Sequence, residues 1–268
     1  VIRLSARALP PKTSQALAAY QREVDAAGPY TVRVAEAKRL FAARNTRSNA
    51  TFKTVRAELA AMCSGAVRCA YCEDSAADEV EHVRPKAWFP ELVFAWDNFV
   101  YACGPCNGPK GSRYAVVRGT PAVCSEARRS RDTFAAPPTG PSALIDPRAE
   151  DPLQLLMLDL LDTFLFVPLG ASGSSDRARA EFTIDVLGLN RRDALVEARK
   201  SAFVDHLTHL EAYVERKRRG STQAELDRRR DTILRRQHPT VWREMQRQQA
   251  SHADLRTLFA AAPEALGW

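Results

Sequence analysis

The sequence predicts a mainly α protein with a small α+β core set between two helical regions. Three observations predict it. Apolar residues recur at helical spacing over most of 13–62 and again beyond 146. Between those stretches, residues 63–118 lose the period, break into short β-like pieces and carry two closely spaced cysteine pairs. Finally, 45% of the 268 residues are apolar, which supports a real buried core and excludes a disordered chain.

The elements follow in order. Residues 12–27 and 32–43 read as two helices parted by Gly28-Pro29. Residues 51–62 read as a third, with Phe52, Val55, Leu59 and Met62 on one face. These make an N-terminal helical region, 1–62, ahead of the core at 63–118. Pro121, Pro137-Pro138 and Gly140-Pro141 mark 119–145 as a linker loop. A C-terminal helical region, 146–268, opens with Asp151-Pro152, a cap and first-turn pair that predicts a short apolar helix over 153–161. Residues 163–169 read as a strand, 170–175 as a turn, and 177–187 as a helix ended by Gly188. A long helix over 191–219 stops at Gly220 and carries an apolar stripe of Leu195, Ala198, Ala202, Val204, Leu207 and Leu210. Another, over 222–237, stops before Pro239. No internal repeat is visible.

Charge is spread unevenly. Residues 1–60 hold 11 Lys/Arg against 4 Asp/Glu, 61–186 hold 12 against 17, and 187–249 hold 15 against 9. Two basic flanks thus surround an acidic middle. Basic flanks suit a polyanion partner, although Arg-rich helices are also simply well solvated. No apolar run is long enough to span a bilayer and no secretion signal is evident, so a cytoplasmic protein is expected.

Cys69/Cys72 and Cys103/Cys106 form two C-x-x-C pairs 30 residues apart. Each pair can aim two sulfurs at one ion, and four thiolates close a tetrahedral structural zinc site. Cys63 and Cys124 are left over and read as small, ordinarily buried residues. Between the pairs stand Glu81-His82 and Trp96-Asp97-Asn98, and Asn107 follows the last cysteine. Histidine is suited to proton transfer near neutral pH, and carboxylate and amide oxygens suit a hard divalent cation. A lone histidine is more often structural, so its neighbours carry the functional reading.

With those residues in view, the chain resembles the HNH endonucleases of ββα-metal fold. The resemblance rests on Cys69-Ala70-Tyr71-Cys72, on Glu81-His82-Val83-Arg84-Pro85-Lys86, on Trp96-Asp97-Asn98, and on the run from Cys103-Gly104-Pro105-Cys106-Asn107 to Gly108-Pro109-Lys110-Gly111. It implies a ββα-metal core in which His82 is the general base and Asn98 holds the loop that orients it. It implies that Glu81 and Asn107 bind a catalytic Mg2+ or Mn2+, making this an H-N-N variant. Lys110 and Arg113, on a helix expected after the second cysteine pair, would touch phosphate or be solvated surface charges.

A narrower resemblance, to the HNH proteins of Septu and related retron anti-phage systems, rests on Phe89-Pro90-Glu91-Leu92, Leu144-Ile145-Asp146-Pro147, Glu150-Asp151-Pro152 and Leu187-Gly188-Leu189-Asn190-Arg191. Phe89 departs from the usual Tyr. In that group the HNH protein works beside a separate ATPase, and no G-x-x-x-x-G-K-[ST] loop occurs here, since Lys110 precedes Gly111. The expected function is therefore cleavage of phosphodiester bonds in nucleic acid, with DNA the expected substrate, as the effector of a defence system. The competing readings are an RNA-cutting effector and a non-catalytic zinc module that binds nucleic acid or protein.

Overall fold

The computed structural model describes residues 1–63, 66–127 and 135–268. Helix dominates these residues, and three small antiparallel sheets of two strands each accompany it. The mixed α+β class read from the sequence holds.

Helices α1 (Pro11–Asp25), α2 (Tyr30–Arg44) and α3 (Ala50–Ala61) lie within two residues of the expected spans. Pro11 opens α1, where its missing N–H costs nothing. Gly28, at φ 104°, makes the turn into α2 that a side chain would strain. The Asn49 side chain caps α3 by accepting from Phe52 N–H at 3.1 Å. Leu17, Phe41, Phe52 and Leu59 face inward and share one apolar cluster with Val80, Phe94 and Phe99. Phe52 stands edge-on to Phe41 at 5.6 Å and lies 6.2 Å from Phe99. The N-terminal helices therefore pack directly on the strands of the cysteine-bearing core.

That core contains β1 (Glu79–His82) and β2 (Phe99–Ala102), antiparallel, with Glu81 opposite Val100 and His82 opposite Phe99. Helix α4 (Gly104–Lys110) follows at once, with Pro105 in its first turn and Gly111 ending it at φ 44°. The expected helix thus contains the second half of the cysteine pair rather than following it, and Arg113 lies beyond its end.

A hairpin of β3 (Ala115–Arg118) and β4 (Val123–Glu126) comes next. Strand β4 falls inside the stretch expected as a loop, 119–145. The later part of that stretch also returns to the core: Val117 N–H donates to the Pro141 carbonyl and Ala143 N–H to the Ala115 carbonyl, both at 2.9 Å. Prolines and glycines there shorten the pairing without abolishing it. Residues 128–134 of the expected loop and 64–65 of the expected core lie outside the described residues.

The apolar run at 153–161 is not a helix. Asp151 does cap Leu153 N–H, at 3.1 Å, but only a single 3-10 turn follows. The chain then extends as β5 (Leu156–Leu158), paired with β6 (Phe166–Pro168). Leu156 and Leu158 point to the core on alternate positions, and a short apolar run fits a strand as well as a helix. Asn190 fixes β6 by exchanging two 2.8 Å bonds with the Phe166 backbone.

The remaining chain is helical: α5 (Ser175–Val186), α6 (Asp193–Arg218), α7 (Gln223–Leu234), α8 (Pro239–Gln248) and α9 (Ala253–Ala261). Gly188, at φ 59°, lies just beyond α5 as the sequence predicts. The buried face of α6 is Leu195, Arg199, Ala202, Phe203, His206 and Leu210, continuing to Val214. Val204, expected in the stripe, is 60% exposed. The stripe is displaced because two polar residues belong to it. Arg199 is buried, donates to the carbonyls of Leu189 and Phe164 at 2.9 and 3.1 Å, and lies over the Phe166 ring. The C-terminal helices and the four cysteines share one apolar cluster.

Candidate metal centre and catalytic site

Cys69, Cys72, Cys103 and Cys106 are all buried, and their Sγ atoms lie within 4.8 Å of one another. Local backbone builds this cluster. Glu73 N–H bonds back to the Cys69 carbonyl and Asn107 N–H to the Cys103 carbonyl, each at 2.9 Å, turning each pair tightly. Ala70 N–H donates to the Tyr101 carbonyl, also at 2.9 Å, and ties the first turn to β2. All four are free thiols rather than disulfides. Hydrogen bonding among the sulfurs pulls Cys72 and Cys103 below the ordinary thiol range and pushes Cys69 and Cys106 above it. Four soft donors at this spacing, in a buried pocket, suit a metal such as zinc. Two N–H groups already point at the sulfurs: Tyr71 N–H donates to Cys69 Sγ at 3.4 Å and Arg192 Nη2 to Cys106 Sγ at 3.3 Å. Arg192, which no motif singles out, is thus a structural partner of the cluster. Cys63 and Cys124 stand apart and half-buried, their thiols 3.2 Å from the carbonyls of Arg68 and Ala178.

His82 ends β1 with 1% of its surface exposed. Its Nε2 lies 2.9 Å from the Val93 carbonyl. A carbonyl only accepts, so Nε2 carries the hydrogen and Nδ1 keeps a lone pair. Nδ1 is buried and has no hydrogen-bond partner among the described residues. Phe41, from α2, stands 4.5 Å from the imidazole and Phe99 5.2 Å. Burial foremost, then the Lys86 and Lys110 charges, push the His82 pKa down to about 3, so the ring is neutral at pH 7.

Asn98 secures the loop that supplies Val93. Its Oδ1 accepts from Arg84 N–H at 2.7 Å, and its Nδ2 donates to the carbonyls of Arg84 and Leu92 at 3.0 and 3.1 Å. Val83 N–H returns the bond to the Asn98 carbonyl at 2.9 Å. The side chain therefore fixes both ends of the loop between His82 and Val93 and never touches the imidazole.

Glu81, on the other face of β1, is buried with Lys110. Lys110 Nζ lies 2.5 Å from Glu81 Oε1 and 2.7 Å from the His82 carbonyl. This corrects the reading of Lys110 as a phosphate contact or a solvated surface charge: it is fully buried and holds β1 to α4. Asn107 donates from Nδ2 to Glu79 Oε2 at 2.5 Å. Glu81, His82 and Asn107 line one cavity of about 360 Å3, which also exposes Lys38 of α2 and Lys86. Lys86 sits 4.9 Å over the Phe41 ring. Arg113 is not on this wall. It pairs with Glu126 of β4 and, at 3.2 Å, with Asp185 of α5.

Glu81, His82 and Asn107 thus line one cavity, together with two lysines to which the sequence reading gives no role. Lys86 is within reach of such a reading, since it lies inside the run that carries His82. Lys38 is not, because nothing in the sequence shows that α2 packs on β1.

Among known proteins, the chain is similar to Septu protein PtuB of Bacillus thuringiensis, at 44% identity over 50 residues. That match covers 17% of this chain, and only about a fifth (20%) of the length of the relative. No family model matches the chain. No solved structure matches it either.

Proposed function

We propose that this chain is an HNH-type endonuclease, hydrolysing phosphodiester bonds with His82 as general base. One observation carries the proposal: His82, whose Nε2 is held by the Val93 carbonyl and whose buried Nδ1 is left as a spare acceptor, lines the same cavity as Glu81 and Asn107, and two lysines flank it. Such a wall attracts a phosphodiester, and Lys38 and Lys86 are the residues that would meet it. Lys110 and Arg113 are committed to carboxylates, which leaves a phosphate-binding role for them without support.

In this proposal a water oxygen attacks phosphorus and the bond from phosphorus to the leaving sugar oxygen breaks. The proton of the water passes to His82 Nδ1, and the leaving oxygen takes one from solvent. Asn98 keeps Val93 in place, and so keeps the imidazole in the tautomer that accepts. Glu81 Oε2 and Asn107 Oδ1 have no protein partner among the described residues and are hard oxygen donors, a fit for Mg2+ or Mn2+. Bound there, the cation would neutralise charge growing on the phosphate oxygens. The four cysteines would hold zinc and stay out of the chemistry.

The similarity to a Septu protein supports a role in anti-phage defence; DNA as the substrate and a separate ATPase as partner belong to the proposal and rest on the motif resemblance alone. The burial of His82 favours a second reading, a non-catalytic zinc module that binds nucleic acid or protein. An assay separates the two: purified protein, with and without co-expressed operon neighbours, incubated with plasmid DNA, single-stranded DNA and tRNA in Mg2+ or Mn2+. The nuclease reading expects cation-dependent cuts in DNA. Cuts in tRNA alone would identify an RNA-cutting effector. Binding without cleavage of any substrate would overturn the nuclease reading.

A further inference from the structure

A second cavity, of about 440 Å3, opens where α6, α7 and α8 approach residues 2–3, and it shares no lining residue with the first. Its wall is aromatic on one side. Trp242 and Trp268 stack with centroids 6.1 Å apart and planes 18° from parallel, and His206 lies 5.6 Å from Trp242. Its wall is also cationic. Arg3 and Arg243 line it, both exposed and without a carboxylate partner among the described residues. Arg236 donates from Nη2 to Asp205 at 2.7 Å, while its Nε is buried without a partner. Asp151 is the one acidic side chain on the wall, and its Oδ1 is engaged by Leu153 N–H.

Two lining residues also carry a buried polar atom with no hydrogen-bond partner among the described residues, His206 Nδ1 and Trp242 Nε1. His206 Nε2 lies 3.0 Å from the Gln237 carbonyl, so Nε2 carries the hydrogen and Nδ1 accepts. The indole N–H only donates. The lining residues therefore combine a stacked aromatic pair and two exposed guanidinium groups with one spare acceptor and one spare donor that are buried among them. Buried polar groups without partners are uncommon in folded proteins and call for an explanation. The α8 N-terminus is not the anion site, because Thr240 N–H already donates to Glu73 Oε2 at 3.0 Å.

We infer that this cavity binds a nucleotide, its base against the Trp242–Trp268 side and its phosphate at Arg3 and Arg243. A purely apolar ligand would leave the guanidinium groups unused, and inorganic phosphate alone would leave the aromatic side unused. The volume lies in the range of small-molecule sites. Stacking on aromatic rings tolerates any base, and arginine suits phosphate through paired hydrogen bonds. The same chemistry is offered by a free mononucleotide and by the end of a nucleic-acid strand. This site goes beyond the proposed nuclease reaction and does not depend on it.

The test is a binding titration of the full chain without added divalent cation, followed by calorimetry and by tryptophan fluorescence. The probes are AMP, GMP, adenosine, inorganic phosphate and a short single-stranded oligonucleotide. The expected result is saturable binding of a mononucleotide with quenching, and at least about tenfold weaker binding of adenosine and of phosphate. Arg243→Glu, at an exposed position, should weaken nucleotide binding by about tenfold or more with an unchanged melting temperature. If only the oligonucleotide binds, and Arg243→Glu weakens it, the ligand is a strand end and the site stands. Absence of saturable binding by every nucleotide and strand overturns the inference. So does phosphate binding as tightly as AMP, or unchanged affinity in Arg243→Glu. His82→Gln protein should bind as wild type does, which keeps this result separate from the fate of the nuclease reading.

Discussion

His82 owes its chemical character to a residue it does not touch. Asn98 spends its whole amide on the Arg84 and Leu92 backbone, and the loop so fixed brings the Val93 carbonyl to Nε2. Asn98→Ala would leave a backbone N–H and two carbonyls of this loop without their partner, a loss of about 2–4 kcal/mol. Thermal melting should register it, together with a slower cleavage rate. Asn98→Asp would turn a carboxylate oxygen on the Arg84 and Leu92 carbonyls in a buried site, so it should destabilise at least as much as Ala. A second buried histidine gives a pH test. Burial pushes the His206 pKa down to about 4, from an ordinary value of 6.5, with the Gln237 carbonyl opposing the shift. The folded state therefore binds its proton later than the unfolded state. Stability carried by neutral His206 is complete above about pH 6.5 and is lost as pH falls towards 4, by about 3 kcal/mol in all. His206→Gln keeps the donor to Gln237 and cannot titrate, so its melting temperature should fall less steeply than wild type between pH 6.5 and 4. Parallel curves would contradict this. Residue chemistry of this kind is partly legible in the sequence. Glu81, His82 and Asn98 stand out by type and spacing. Lys38 does not, and Lys110 reads as a phosphate contact or a surface charge because nothing local announces that α4 buries its last residue against β1.

At the level of elements, the four-cysteine cluster does what an apolar core would do in a longer segment. It joins the turn at 69–72 to the first turn of α4, and its sulfurs belong to the same apolar cluster as the C-terminal helices. A zinc ion there would contribute on the order of 10–16 kcal/mol of apparent binding energy. Purified protein should hold about one zinc per chain, and Cys72→Ser should lose it along with solubility. Protein without zinc, or with disulfides among these cysteines, would refute the metal centre. Elements are most legible where local chemistry is unambiguous. Gly28-Pro29, Asn49 and Gly188 mark helix ends by their backbone preferences alone, and the helices stand accordingly. The run at 153–161 reads as a helix from sequence because its leucines satisfy either period. The choice is made by pairing with β6, which is a long-range event. The face of α6 differs from its expected position for a related reason. Arg199 and His206 are polar by composition, yet both are buried through bonds to distant carbonyls.

On the scale of the molecule, the N-terminal helices cover the candidate base and the C-terminal helices back the metal centre. Phe41 packs on the His82 ring and Nδ1 is buried here, so a water would reach that nitrogen only once it is uncovered. The basic flanks of the sequence also take a definite form. Arg216, Arg228 and Arg229 line a groove of about 320 Å3, while Lys217 and Arg219 are paired with Glu264 and Glu215. Nucleic-acid affinity should accordingly depend on the first three. Replacing Arg216, Arg228 and Arg229 with Ala should flatten the dependence of binding on salt, by roughly 0.9 in logarithmic slope for each phosphate that these arginines neutralise. An unchanged slope would assign the groove to solvation. Among the described residues no helix is long and apolar enough to cross a membrane. The central claim, that His82 is the base of a phosphodiester hydrolase, is tested most directly by plasmid cleavage in Mn2+. The comparison is wild type with His82→Gln, both co-expressed with their operon neighbours and matched for zinc content. Glutamine can still donate to the Val93 carbonyl but cannot accept a proton from water. If His82 is the base, cleavage is slower by roughly 10²–10⁴-fold in His82→Gln while the protein stays folded with the same zinc content. Equal cleavage rates in the two proteins would contradict it.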